Sequence, residues 1–132
     1  MIEPSLALQG AIFTTLNALP SLDERVVDRV QPGTPRPYAR IGDDQVIPQP
    51  ADCFERSVQI YVTIHVFSSA AGKPEAKTIA GEIVDALDQA ELDLAPDWTL
   101  GDLLHDGTRY LDEPDGLSTH AVVTFRATLD PA

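Results

Sequence analysis

Three histidines, His65, His105 and His120, with Ser118 and a set of clustered acids, are the side chains of this sequence that could move protons, attack a carbonyl or hold a metal. Imidazole titrates near neutral pH and ligates zinc through either ring nitrogen, so histidine chemistry would call for a second ligand at a spacing such as His-x-x-x-His. No such spacing occurs. Each histidine falls in a stretch of strand-like pattern, where a lone imidazole is an ordinary half-exposed residue. Ser118 stands two residues before His120. Side chains two apart on a strand share a face but lie roughly 6–7 Å apart, too far for direct proton transfer, and no glycine-flanked nucleophile elbow surrounds the serine. Asp112, Glu113 and Asp115 lack the spaced oxygens of a calcium loop, and Pro114 limits their convergence. Asp43-Asp44 and Asp85, Asp88, Glu91 and Asp93 read as solvated acids. Gly72-Lys73-Pro74 lacks the remaining glycine and the following hydroxyl of a phosphate loop. Trp98 reads as a packing residue. An enzyme using His65, His120 and nearby acids is therefore the reading with least support, and no catalytic residue, cofactor or metal is expected.

The elements that hold these side chains are more legible. From Arg56 to Val66 the apolar β-branched residues Val58, Ile60, Val62, Ile64 and Val66 occupy every even position. Period two predicts a strand with one face buried and the other, carrying Gln59, Tyr61, Thr63, His65 and Phe67, open to solvent or a partner. After the Gly72-Lys73-Pro74 turn, Ala76, Ile79, Ala80, Ile83, Val84 and Leu87 recur at helical spacing, with Pro74 in the first turn. Ser5 to Leu19 predicts a first helix with Leu8, Ile12, Leu16 and Leu19 along one stripe and Phe13 beside it, ended by Pro20. Val26 to Val30 reads as a brief extended segment or edge strand. Three prolines stiffen residues 31–37 as a loop, and Tyr38 to Ile47 resumes as a strand.

Asp43 to Phe54 has adjacent acids, two prolines and little apolar mass, and reads as a long mobile loop, either a plain connection or a segment ordered by a partner. Asp97 to Leu111 predicts an irregular strand interrupted by Gly101 and by Asp106-Gly107, either of which could mark a bulge. Asp112 to Gly116 then predicts a hairpin turn closed by a left-handed glycine. The returning strand, Thr119 to Leu129, buries its odd residues Ala121, Val123, Phe125, Ala127 and Leu129. The expected fold is one α+β domain over residues 1–132: a mainly antiparallel four- to five-stranded sheet with two helices packed on one face.

Composition narrows the function classes. Twenty-one acids against nine bases give a formal charge of −12, which disfavours unaided binding to nucleic acid or to an anionic membrane. A single cysteine, Cys53, forms no internal disulfide and fits no zinc pattern, and a reducing compartment is the expectation. Neither a secretory signal nor a membrane-spanning run is evident, so the reading is of a soluble intracellular chain. At 43% hydrophobic residues the chain can bury roughly two-thirds of its unfolded surface.

The succession of motifs carries a resemblance. A Leu- and Ala-rich first helix is followed by Pro37-Tyr38-Ala39-Arg40-Ile41-Gly42. Next comes His65-Val66-Phe67-Ser68-Ser69 leading into Glu75-Ala76-Lys77-Thr78-Ile79-Ala80, and last Asp112 to Ala127 with Asp115-Gly116, His120 and Phe125-Arg126-Ala127. In this order the chain resembles the tail-completion, or tail-terminator, proteins of long-tailed bacteriophages, prophages and gene transfer agents. It departs from that pattern at Phe67, at Arg40 and over Asp43 to Phe54. The resemblance implies a structural virion protein at the head-proximal end of the tail, assembled in the bacterial cytoplasm. Such a protein forms a ring, hexameric in the family, that stops tube growth and offers the head-joining surface. Its partners would be copies of itself, the tail tube protein and a head-completion or connector protein, with DNA passing an acidic channel without specific binding and no membrane involved. The expected interface residues are Arg36, Arg40, Asp43, Asp44, Phe54, Tyr61, His65, Phe67, His120 and Arg126. The competing reading is a cytoplasmic α+β module holding a small ligand or partner protein on the open sheet face.

Overall fold

A computed structural model of the chain describes residues 1–49, 56–69 and 73–132. The first helix, α1 (Pro4–Asn17), opens with proline in its first turn and with Glu3 as N-cap. The Glu3 carboxylate accepts the backbone N–H of Ser5 at 2.7 Å, serving a donor that has no partner within the helix. Leu8, Ile12 and Leu16 are buried on one stripe. Phe13, expected beside that stripe, is 42% exposed, because the buried face of α1 is narrower than the periodicity allows. The helix ends before Leu19, and the turn that follows sends Leu22 fully into the core.

Strand β1 (Val26–Val27) is the short remnant of the segment expected over residues 26–30. It pairs in parallel with β2 (Tyr38–Pro48), and Val30 beyond it is exposed. Strand β3 (Val58–Phe67) buries Val58, Ile60, Val62, Ile64 and Val66, as its alternation predicts. Helix α2 (Pro74–Leu87) buries Ala76, Ile79, Ala80, Ile83 and Leu87. Strands β4 (Trp98–Asp112) and β5 (Thr119–Pro131) complete a five-stranded sheet of order β1-β2-β3-β5-β4, antiparallel except for the first pair. Both helices pack against one face of this sheet, and residues of both join the strand side chains in a single core around Phe125. The architecture is α+β, as expected.

One expectation is corrected. Residues 43–48 belong to β2 and are paired with β3 from Asp44↔Val62 to Pro48↔Val58, so the loop expected from Asp43 to Phe54 does not begin at Asp43. Main-chain pairing asks nothing of side-chain polarity, and here Asp44, Gln45 and Val46 are all exposed. Polar residues are tolerated in this stretch because little covers them. Gln49 still donates its N–H to the Ser57 carbonyl at 2.9 Å, and residues 50–54 of that expected loop, with Cys53 and Phe54, lie outside the described residues.

The bulges foreseen in β4 are present, between Leu100 and Asp102 and between His105 and Gly107, and β2 carries another between Ile41 and Asp44. At Gly101 an added Cβ would stand 3.2 Å from the Thr128 carbonyl oxygen, a tight approach of β4 to β5 that favours the smallest residue there. The β4–β5 hairpin turns through Gly116 at φ +72°, closed by Gly116 N–H to the Glu113 carbonyl at 2.9 Å. Trp98 is buried and donates its indole N–H to the Ile2 carbonyl at 2.8 Å, tying the chain start to β4. Among the described residues no helix is long and apolar enough to cross a membrane.

Candidate assembly interface

The sheet face opposite the helices is ordered in rungs by the strand register. On the outermost rung Tyr38 of β2 faces Phe67 of β3, which faces His120 of β5, which faces Leu111 of β4. Facing residues in an antiparallel pair point to the same side, so the four form one row. The rings stack: Tyr38 on Phe67 at 5.0 Å between centroids, and Phe67 on His120 at 4.3 Å with 15° between planes. The Arg36 guanidinium caps the row, 5.9 Å from the Tyr38 centroid and 5.6 Å from that of Phe67, an attraction of cation to ring face.

The next rung is Arg40, His65, Val122 and Arg109. His65 is 8% exposed, and its Nδ1 lies 2.7 Å from Nε2 of His120, so one imidazole donates and the other accepts. Asp43 Oδ2 sits 3.3 Å from the other His65 nitrogen, within ion-pair range but not aligned as a hydrogen bond, and 3.5 Å from Arg40 Nη2. Both histidines are held below the usual imidazole pKa. Burial is the first cause for each; for His65 the Arg40 charge and His120 add to it against the pull of Asp43. For His120 the Glu113 carboxylate opposes the shift, while Arg40, Arg109 and Arg36 reinforce it. The pair is therefore neutral at pH 7, a flat polar patch and not a charged one.

Farther along the face Thr63 meets Thr124 and Gly107, and Tyr61 meets Arg126 and Leu104. Of the expected interface residues, the fold thus gathers Arg36, Arg40, Asp43, His65, Phe67 and His120 at one end. Tyr61 and Arg126 stand together two rungs away. Asp44 faces Val62, a core residue, and so lies on the helix-bearing side, apart from the others. Phe54 lies outside the described residues. Tyr38, Leu111 and Arg109 complete the patch without having been singled out, because their membership depends on register, which bulges in β2 and β4 set.

Ser118 gives its hydroxyl to the Asp115 carboxylate, away from His120. That bond and the backbone N–H groups of Ser118 and Leu117 lower the Asp115 pKa to about 2, as expected of a turn acid. His105 Nε2 lies 2.7 Å from the Thr108 hydroxyl, one bulge from its own position. Among the described residues no three His, Cys, Asp or Glu side chains gather in a metal-holding group.

Comparison with known proteins bears on what such a face is for. A chain in the virion of a native gene transfer agent particle superposes with a TM-score of 0.83 at 27% identity, over 96% of this chain and 96% of that one. No curated protein matches. The sequence profile described as tail completion protein gp17 matches residues 10–130. With its second helix, nearly all of its sheet and most of its length inside that match, the chain belongs to the tail completion protein gp17 family.

Proposed function

We propose that this chain is a tail terminator: copies of it close into a ring on the head-proximal end of a tail tube, stop the tube's growth and present the surface to which the DNA-filled head joins. The observation that carries this reading is the family match over residues 10–130. Membership of that family makes the chain a structural protein of a phage-type tail. The likeness to a chain of a gene transfer agent virion, end to end, supports the same role within an assembled particle.

The geometry suits a part that works by shape. A ring of identical subunits needs two different patches on each copy, one for each neighbour, because a head-to-tail contact closes only after a fixed rotation. An open sheet face with an aromatic row at one end, and helices on the other side, supplies distinct surfaces. A formal charge of −12 per copy lets acids line a bore and repel DNA phosphates during passage. On this reading the chain acts as one domain, its partners are its own copies, the tube protein and a head connector, and it performs no bond chemistry.

Purified protein mixed with growing tail tubes tests the role. Electron microscopy is expected to show one ring at one end of each tube and tubes of uniform length. Tubes that keep growing, with no density at either end, would remove the reading.

A further inference from the structure

The distribution of charge along and across this chain is strongly uneven. Between Lys77 and Arg109 the sequence holds eight acids, Glu82, Asp85, Asp88, Glu91, Asp93, Asp97, Asp102 and Asp106, and not one Lys or Arg. These residues form the outer end of α2, the segment that follows it and the first half of β4. There a groove of about 640 Å³ opens along the free edge of β4, with Leu92, Leu100 and Leu104 in its wall and Glu91, Asp93 and Asp102 among its polar lining. The opposite holds at the far end of the open sheet face. Arg36, Arg40 and Arg109, three of the nine bases, surround the Tyr38–Phe67–His120–Leu111 row.

The basic end is unfinished as a free surface. Arg40 and Arg109 share a rung, with His65 and Val122 between them. Among the described residues only Arg40 has a carboxylate partner, and Arg36 and Arg109, both exposed, have no ion pair. The buried His65 Nε2 has no aligned hydrogen-bond partner. Exposed Leu111 extends the aromatic row to the sheet edge. A surface of this kind, aromatic at its centre and rimmed with arginine, is what protein interfaces favour.

We propose that the basic aromatic end of the open face docks against the acidic groove at the β4 edge of a second copy of this chain. The charges are complementary, and the apolar walls of the groove match the aromatic row. The two patches also lie at opposite ends of β4, nine residues from Asp102 to Leu111, or about 30 Å of strand. One copy can therefore engage a neighbour with each patch at the same time. A two-fold contact would spend both patches of a copy on one neighbour, whereas a head-to-tail contact leaves one patch on each copy free for the next, as a closing ring needs.

The inference rests on the proposed ring, and the experiment separates the two. One variant carries Arg36→Glu with Arg109→Glu; the other carries Glu91→Lys with Asp102→Lys. All four positions are exposed, so each variant is expected to fold, with any small loss of melting temperature in the first reflecting the Arg36 contacts to Tyr38 and Phe67. Sedimentation velocity on the chain alone, and electron microscopy on tail tubes, are expected to show self-association weakened about tenfold or more in each. Mixed together, the two variants offer each other one unaltered contact and one with its charges swapped, and are expected to recover the self-association that neither shows alone. Variants that assemble like the wild type overturn the docking and leave the ring standing, as does a mixture that stays monomeric. A wild-type chain that stays monomeric both alone and on tubes overturns both. Should a charge reversal prevent folding, Arg36→Gln with Arg109→Gln reads the same contact at a smaller loss of affinity.

Discussion

At the scale of single residues, the His65–His120 contact makes the open face sensitive to pH. Both imidazoles have depressed pKa values in the folded chain, with burial the leading cause. The groups facing them are Arg36, Arg40 and Asp43 from the β2 side, Arg109 from β4 and Glu113 from the hairpin, so positive charge dominates. The unfolded chain takes up these protons near pH 6.5, before the folded one does. Stability is thus unaffected above that pH and falls as the pH drops below it, since the unfolded state then binds more protons. Melting temperature is expected to decline between pH 7.5 and 5, and His120→Phe, which keeps the stacked row and removes a titrating ring, is expected to flatten the decline. An unchanged slope in that variant would assign the effect to other groups. Asp115 acts in a lower window: its pKa of about 2 means that its turn contacts hold above roughly pH 4 and are lost only as the pH falls toward 2.

At the scale of elements, the bulges decide which side chains share a rung, and glycine permits them. Gly107 ends the bulge opposite Thr124 with φ at +153°, a conformation that L residues rarely adopt, although space beside it is open. Gly107→Ala is expected to lose about 1–3 kcal/mol of stability from backbone strain alone. By contrast, Gly81 lies exposed within α2 with nothing near its missing Cβ, and Gly81→Ala is expected to gain about 0.5–1 kcal/mol. Urea unfolding of the two variants checks both signs, and a stabilising Gly107→Ala would mean that the bulge is not strained. The same contrast explains what could be read from sequence. The alternation of Val58 to Val66 and of Ala121 to Leu129 is dictated by burial against two helices, and it was legible at once. The second half of β2 was not, because Asp44, Gln45 and Val46 are held by main-chain bonds to β3 and not by a buried side-chain pattern. The short β1 was legible as an edge strand over part of residues 26–30, but its parallel pairing was not, because two paired residues carry too little periodicity to announce a partner. Among site residues, His65, Phe67 and His120 were marked by their polarity or aromaticity on a predicted open face, and Arg36 and Arg40 were named as interface residues apart from it. Tyr38 and Arg109 required the register.

At the scale of the whole molecule, net charge and charge arrangement pull in different directions, and salt separates them. Each copy carries −12, so copies repel as wholes at low ionic strength. A folded chain of this length is about 30 Å across, while the screening length is about 30 Å at 0.01 M salt and about 10 Å at 0.1 M. Whole-body repulsion between neighbouring centres therefore fades by 0.1 M, whereas contacts of a few ångströms between arginines and acids are still felt. Beyond 0.1 M further salt acts chiefly on those short contacts. Self-association is thus expected to strengthen from 0.01 to about 0.1 M salt and to weaken toward 1 M, with the fold itself stabilised throughout the lower range as internal repulsion is screened. Sedimentation velocity and thermal melting on the same samples measure the two effects independently. If association instead rises steadily to 1 M, apolar contact governs assembly and the docking of arginine on acid is wrong. If it falls from the lowest salt onward, the complementary patches outweigh the net charge even at long range, and the −12 is then spread away from the surfaces that meet.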